Sequence, residues 1–201
     1  MEAQLDDSVR DRAEERRTAV EANYRRLGHP FVTVPKPIAS VRDLTNWERL
    51  EFDLNYRPPE SQLTYEAWMS SHGYGKDWTV ADEIARKKVR WEPCEVGYWF
   101  LTQAAVNCPH RMRSHEELTS DVGLLSLEEY AILYLTCSDL AGRRIDDITE
   151  CLLRTSFGSG CLSACDLASR VHVSRHDAPY LKVPQRHVGG RRRMLLSSSL
   201  A

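Results

Sequence analysis

The first thirty residues place apolar side chains at the spacing of a helix. From Leu5 to Leu27 the apolar positions recur at steps of three, four or seven, and mostly arginine and glutamate fill the positions between them. Gly28 and Pro30 then end the pattern in the order expected at a helix terminus. Residues 1–28 are therefore predicted to form an amphipathic helix. Its narrow apolar stripe should pack on the core or on a protein partner, including a second copy of the chain.

In the segment after this helix, the spacing of the apolar residues changes from three or four residues to two. Thr45 and Glu48 have the spacing of a capping box, which predicts a short helix beginning there. From Leu50 to Tyr56 apolar and polar residues then alternate, as expected of a strand with one buried face. Pro58 and Pro59 close the segment. We expect a short helix that runs into a strand.

The middle third of the chain is rich in tryptophan and has helical signals. A helix is predicted from Glu60 to Ser71, and Thr79 caps another. All five tryptophans lie between residues 47 and 99: Trp47, Trp68, Trp78, Trp91 and Trp99. They predict an aromatic core or an aromatic-lined groove.

Beyond the tryptophans the pattern predicts one well-defined helix and then strands. Residues 95–106 fit a buried helix or a central strand equally well. Ser126 and Glu129 form a second capping-box pattern at the start of a strongly apolar helix that ends before Gly142. Segments 150–157 and 161–167 can form a hairpin, and further short strands are expected near residues 171–173, 180–183, 188 and 194–196. The fold class is thus α+β. Residues 29–201 are expected to form a single domain with a basic tail from about residue 184.

Composition indicates in which compartment the protein is expected, but not its function. The formal net charge of -2 over 201 residues describes an ordinary protein surface. The longest apolar stretches are interrupted by polar residues, so no membrane crossing is expected. The acidic N-terminus does not resemble a secretory signal, and the six cysteines are expected to be buried thiols in a reducing compartment. These observations predict a cytoplasmic location.

Positive charge is concentrated near the end of the sequence. No acidic residue follows Asp177, whereas Lys182, Arg186, Arg191, Arg192 and Arg193 do. Clustered cations attract phosphate groups and acidic protein surfaces. The tail is therefore expected to contact an acidic partner or nucleic acid.

One segment within this region resembles the helix-turn-helix of bacterial repressors. Leu167, Ala168, Val171, Val173, Ser174 and Leu181 fall roughly where that motif places its packing residues. The resemblance covers residues 162–181. It implies that Arg175 and His176 face base edges while Arg191 to Arg193 contact phosphate. Two residues depart from the motif: His172 stands at the usual glycine position, and Pro179 falls inside the recognition helix.

Metal and nucleophile patterns are incomplete. Cys161, Cys165, His172 and His176 are zinc-ligand types, as are the more loosely spaced Cys94, Cys108, His110 and His115, but neither set has zinc-finger spacing. Cys108 and His110 are the closest thiol and imidazole pair, without a flanking glycine that indicates an oxyanion hole. We therefore assign no catalytic residue, metal or cofactor.

Taken together, the sequence favours a non-enzymatic intracellular binding or regulatory protein that acts through its surface. Two alternatives stay open. One is a DNA-binding transcriptional regulator that uses the variant helix-turn-helix. The other is a thiol-dependent hydrolase.

Overall fold

The computed structural model describes residues 2–64, 92–121, 123–137, 142–157, 160–167, 170–176 and 182–196. Helices and strands are both present, so the α+β class is confirmed. The helices are α1 (Glu2–Arg26), α2 (Val41–Arg49), α3 (His115–Asp121) and α4 (Leu127–Leu135). The strands are β1 (Phe52–Arg57), β2 (Tyr98–Gln103), β3 (Glu150–Phe157), β4 (Gly160–Leu167), β5 (Arg170–His176), β6 (Val188–Gly190) and β7 (Arg193–Leu195).

The strands form two sheets. In sheet A the order is β1-β2-β7, and both pairings are antiparallel. In sheet B the order is β5-β4-β3-β6, with β6 parallel to β3 and the other pairings antiparallel. The segment from β6 to β7 therefore belongs to both sheets, since it leaves sheet B at Gly190 and enters sheet A at Arg193.

Helix α4 lies at the centre of the molecule. All nine of its residues are buried, and it packs on β1 of sheet A and on β3 and β4 of sheet B. Its capping box is the one expected from the sequence: the Ser126 hydroxyl accepts from the Glu129 N–H at 3.2 Å, and the Glu129 carboxylate accepts from the Ser126 N–H at 2.8 Å. This helix places two consecutive glutamates, Glu128 and Glu129, inside the protein.

The N-terminal helix packs on the other face of sheet A. Ala13, Val20 and Tyr24 are buried in a core cluster that also contains Leu54 and Trp99. The Tyr24 hydroxyl donates to the carbonyl of Tyr56 at 2.7 Å. This part of the predicted stripe is therefore used inside the molecule. Association with a partner through the helix stays a prediction, as does the division into residues 1–28 and 29–201.

The helix expected near Thr45 begins earlier. Ser40 is its N-cap and shares a complete capping box with Asp43, while the Thr45 hydroxyl accepts a hydrogen bond from Arg12. The prediction that Thr45 caps this helix is therefore wrong. Ser40, which also has a hydroxyl that can accept from the backbone, occupies the N-cap position instead. The helix does run into a strand, as predicted.

Residues 95–106 supply strand β2, so the strand alternative is the correct one there. The predicted hairpin is present as β3 and β4. Lys182 and Val183 lie in a turn rather than in the expected strand, and residues 60–64 are not helical. The predicted helix after Thr79, and most of the one from Glu60 to Ser71, lie outside the described residues. In the part of the chain that the structure describes, no helix is long and apolar enough to cross a membrane.

Candidate functional site

The loop after β2 and the segment leading into β6 lie side by side. The Met112 N–H donates to the Gln185 carbonyl at 3.2 Å, and the Gly190 N–H donates to the Pro109 carbonyl at 3.0 Å. A side chain at position 189 would place its Cβ 2.2 Å from the Pro109 carbonyl oxygen, so glycine is required for this close approach. Gly189 therefore allows two basic segments, distant in sequence, to meet.

The surface formed by these two segments is cationic. We call it the basic surface and define it by five exposed side chains: Arg111, Arg113, Lys182, Arg186 and Arg192. Its edge includes His110, whose pKa is lowered by burial and by the nearby charges of Arg113 and Arg192. The pKa of the nearby Glu117 carboxyl is lowered, first by hydrogen bonds from Ser114 and then by the charge of Arg113. The surface thus keeps a net positive charge.

Two exposed apolar side chains lie among these cations. Met112 is 56% exposed and stands between Arg111 and Arg113, and Val183 is 58% exposed and follows Lys182. The basic surface therefore offers apolar contact as well as charge.

Arg191 is not part of this surface, contrary to the expectation from the sequence. Its guanidinium is fully buried and forms a two-point ion pair with Asp146, at 2.7 and 3.0 Å, and donates to the Gln103 carbonyl at 2.8 Å. Burial lowers the pKa of Arg191, but the charge of Asp146 outweighs it and the net shift is upward. Because Gln103 lies on sheet A and Arg191 follows sheet B, this cation joins the two sheets and cannot reach phosphate.

Arg193 and His176 are also engaged inside the protein. Arg193 lies 2.7 Å from the Glu129 carboxylate, and His176 is largely buried beside Glu150 and Ser163. Arg175 is exposed on β5, outside the basic surface as defined here. Of the seven predicted contact residues, three lie on the basic surface: Lys182, Arg186 and Arg192. Arg111 and Arg113 were missed because the sequence does not show that their loop meets the C-terminal segment.

The helix-turn-helix arrangement is wrong. Residues 160–167 and 170–176 are the antiparallel strands β4 and β5, with Cys165 opposite His172. Alternating valines at 171 and 173 fit a strand with one buried face better than a recognition helix. The remainder of the proposed recognition helix, residues 177–181, lies outside the described residues.

Ser163, His176 and Glu150 meet in one cluster on sheet B. The Ser163 hydroxyl lies 2.7 Å from His176 Nε2 and donates to Glu150 Oε2 at 2.7 Å, and the same carboxylate oxygen lies 3.1 Å from Nε2. A catalytic triad needs the serine and the carboxylate on different ring nitrogens, and an accessible hydroxyl. Here both contact the same nitrogen, and Ser163 is fully buried. The cluster has the geometry of a structural network.

The zinc-type residues of sheet B do not converge. Cys161 lies opposite His176, and Cys165 lies opposite His172. The two pairs are four residues apart along a strand, which separates them by roughly 13 Å. A zinc ion lies only about 2.0 to 2.3 Å from each of its ligand atoms, so the two pairs are too far apart to share one ion. Among the residues that the structure describes, no group of three histidine, cysteine or acidic side chains could hold a metal ion.

The thiols have the environment of structural cysteines. Cys94, Cys108, Cys137, Cys151 and Cys161 are buried, and Cys165 is partly exposed. Burial raises the pKa of Cys161 to about 12 and that of Cys165 to about 11. Burial also raises the pKa of Cys108, and His110, the imidazole closest to it in the sequence, lies 3.0 Å from the Gln103 side chain. At neutral pH Cys108, Cys161 and Cys165 therefore carry little thiolate, which is the nucleophilic form.

A second group of charges surrounds the N-terminus of α4. Arg154 donates to Glu129 at 2.9 Å and to Glu92, and Tyr98 donates to Glu129 at 2.7 Å. Arg57 lies 3.5 Å from Glu128 and donates to the Tyr98 hydroxyl at 3.1 Å. Burial lowers the pKa of Arg154, but Glu92 and Glu129 outweigh it and raise the pKa. This group joins β1, β2, β3 and α4.

This group of charges was not predicted from the sequence. One signal could have indicated it: two glutamates stand at the start of an otherwise apolar helix. Carboxylates that are buried in a core need cations as partners. Their partners lie 25 to 71 residues away in the sequence, which spacing along the chain does not reveal.

A small cavity opens beside this charge group. It encloses about 30 Å³. Its lining combines charged and apolar residues: Tyr24, Arg57, Pro58, Glu60, Leu63, Cys94, Glu128 and Ile132. A larger cleft of about 290 Å³ lies between α1, α2 and β1, where the ion pair between Arg12 and Glu48 lines it.

Comparison with protein families, with curated proteins and with solved structures finds no match.

Proposed function

We propose that this protein is a non-enzymatic binding protein of the cell interior, and that its basic surface recognises an acidic segment of a partner protein. The observation that supports this most is the pairing of the 110–113 loop with the 182–192 segment. It collects five exposed cations from two distant parts of a chain whose net charge is -2. Cations gathered in this way attract and orient an acidic partner.

The exposed apolar side chains favour a protein partner over duplex DNA. Met112 and Val183 stand among the cations, and an amphipathic acidic peptide could cover both kinds of group at once. A DNA backbone offers phosphate charge but little apolar surface. Residues 160–167 and 170–176 are strands rather than the helices of a helix-turn-helix, so they offer no recognition helix to a major groove.

A direct test measures binding of three labelled probes to the full chain by fluorescence anisotropy. The probes are a peptide that alternates glutamate and leucine, a glutamate-only peptide of the same length and charge, and duplex DNA. We expect the mixed peptide to bind tightest. We expect its affinity to fall as salt is raised, because screening weakens exposed charge pairs.

The matched variants remove three positive charges from different places. Changing Arg111, Arg186 and Arg192 to alanine should weaken peptide binding about tenfold, since exposed ion pairs contribute up to about 1 kcal/mol each. Changing Arg25, Arg42 and Arg49 to alanine removes the same charge from α1 and α2 and should leave binding unchanged. Met112→Ser should reduce the preference for the mixed peptide over the glutamate-only peptide.

Three results would contradict the proposal. They are the absence of peptide binding, equal losses in the two triple variants, and DNA binding tighter than the mixed peptide at moderate salt. The last result would assign the basic surface to nucleic acid instead.

A further inference from the structure

The cleft between α1, α2 and β1 contains an arginine whose charge is only partly satisfied. Arg16 lines the cleft, and its guanidinium is largely buried. Its Nε donates to the Leu54 carbonyl at 2.8 Å, and its Nη2 donates to the same oxygen. Among the described residues, this neutral carbonyl is its only hydrogen-bond acceptor, so the guanidinium has no carboxylate paired with it.

One edge of the Arg16 guanidinium is left for a ligand. A guanidinium has two edges that can each bind a carboxylate through two parallel hydrogen bonds. Nε and Nη2 form one edge, which the Leu54 carbonyl occupies. Nη1 and the second hydrogen of Nη2 form the other edge. Nη1 has no acceptor among the described residues, yet it is not one of the fully enclosed atoms that lack a partner. Because the rest of the side chain is covered by protein, this accessible edge opens to the cleft.

The surroundings of Arg16 make an anionic ligand favourable. Burial lowers the pKa of Arg16, although the charge of Asp53 partly opposes the shift. The guanidinium still stays charged, because arginine does not lose its proton in proteins. A buried charge without a paired counter-charge is costly, and a carboxylate on the free edge would reduce that cost.

The carboxylates near this guanidinium do not fill that role. Glu48 accepts from Arg12 at 2.7 and 2.9 Å, and Asp53 lies 3.5 Å from Arg143. Glu15 also lines the cleft, but it is exposed to water. The acids are therefore paired with other cations or solvated, and the free edge keeps its capacity for an anion.

The size and the walls of the cleft indicate the rest of the ligand. Its volume of about 290 Å³ is close to that of small-molecule sites and holds at least about ten non-hydrogen atoms. Trp47 and Phe52 are half-buried aromatic walls, and Leu44 and Leu54 are buried apolar walls. Aromatic walls favour contact with a flat apolar group.

We propose that this cleft is a binding site for a small aromatic carboxylate. The two carboxylate oxygens accept from Nη1 and Nη2 of Arg16, and the ring contacts Trp47 and Phe52. A doubly charged phosphate fits less well, because Glu48 and Asp53 lie nearby. A free aromatic acid and the C-terminal residue of a peptide share this chemistry. The site contains no residue of the basic surface and does not depend on its function.

The test is an NMR titration of the full chain with phenylacetate, followed through the indole N–H of Trp47. We expect a saturable shift of this signal. Phenylacetamide has the same shape without the charge, and acetate has the charge without the ring, so both should bind much more weakly. Phenethylammonium should not bind. N-acetylphenylalanine represents a peptide terminus, and its affinity relative to phenylacetate tells the two sources apart.

Two variants locate the site. Arg16→Gln should weaken phenylacetate binding about tenfold or more, because it removes the charged donors. Ala19→Leu adds a larger side chain to the lining from an exposed helical position, so it should fold normally and block the cleft. Circular dichroism checks that both variants are folded.

Each variant has a matched control on α1. Arg17→Gln removes the same charge, and Thr18→Leu adds the same side chain, at neighbouring positions that do not line the cleft. Both controls should bind phenylacetate as the parent does.

Several outcomes would overturn the proposal. One is the absence of a saturable shift with phenylacetate. Others are equal or tighter binding of phenylacetamide, acetate or phenethylammonium. Unchanged affinity in a folded Ala19→Leu variant would place any binding outside this cleft.

Discussion

Arg191→Met tests whether the buried ion pair holds the two sheets together. The substitution keeps an unbranched side chain but removes three charge-assisted hydrogen bonds, two to Asp146 and one to the Gln103 carbonyl. The Asp146 carboxylate would then keep two neutral donors, the Tyr130 hydroxyl at 3.1 Å and the Thr149 hydroxyl at 2.9 Å. These donors offset only part of the cost of a buried charge.

We expect Arg191→Met to lower the free energy of unfolding by about 3 to 5 kcal/mol at neutral pH, as is usual when one member of a buried pair is removed. Urea unfolding, followed by circular dichroism, measures this loss. Arg192→Met is the matched control at the exposed neighbouring position and should change stability by less than about 0.5 kcal/mol. The double variant Asp146→Asn with Arg191→Met should be more stable than Arg191→Met alone, since it leaves no unpaired charge.

The pH dependence of Arg191→Met gives a second, independent readout. Without its cation, the buried Asp146 carboxyl should have a folded-state pKa above its unfolded value of about 3.9. The folded variant then binds more protons than the unfolded chain, so its free energy of unfolding rises as pH falls through the raised pKa. The deficit relative to the parent should therefore shrink on acidification. A loss below about 1 kcal/mol, or a deficit that grows with acid, would refute this account of Arg191.

Three further predictions concern the backbone, a helix cap and the thiols. Gly189→Ala should destabilise the fold by more than about 1 kcal/mol, because its Cβ would meet the Pro109 carbonyl oxygen at 2.2 Å; thermal unfolding measures it. Ser40→Ala should cost about 1 kcal/mol by loss of the N-cap, and Thr45→Ala much less, as measured by urea unfolding. Alkylation by iodoacetamide at pH 7 should be slow at every cysteine, with partly exposed Cys165 reacting first and accelerating as pH approaches its pKa of about 11.

Each of these three predictions can be contradicted by a specific result. Normal stability of Gly189→Ala would mean that the two basic segments are not held as closely as described. A larger effect at position 45 than at position 40 would place the cap of α2 elsewhere. A single cysteine that reacts much faster than a free thiol at neutral pH would revive the thiol-hydrolase alternative.

Several local signals in the sequence predicted local structure correctly, although the cap at Thr45 and the helix-turn-helix pattern did not. The Ser126 and Glu129 capping box located the start of α4, and the Gly28 and Pro30 signal located the end of α1 within two residues. The hairpin of β3 and β4 followed from two apolar runs around Gly158 and Gly160. These features depend on neighbours within a few residues, which the sequence displays directly.

Contacts between distant residues were missed or misjudged. Arg191 looked like a surface cation because Asp146, its partner, is 45 residues away. The basic surface and the charges at α4 depend on the same kind of contact, since Met112 meets Gln185 and Arg154 meets Glu92 only after folding. Some residues of the candidate sites could therefore be recognised by their type. Which of them lie together in the folded protein could not be predicted from the sequence.

The segment from β6 to β7 has a consequence for synthesis of the chain on the ribosome. A nascent chain that has emerged only through residue 187 has all of β1 to β5, yet it lacks a strand in each sheet and the cation opposite Asp146. Such an intermediate must hold its carboxylate unpaired or protonated, and it exposes the sheet edges that β6 and β7 later cover. Both sheets are thus expected to be completed only after residues 188–195 have emerged from the ribosome, and chaperones can bind the exposed edges until then.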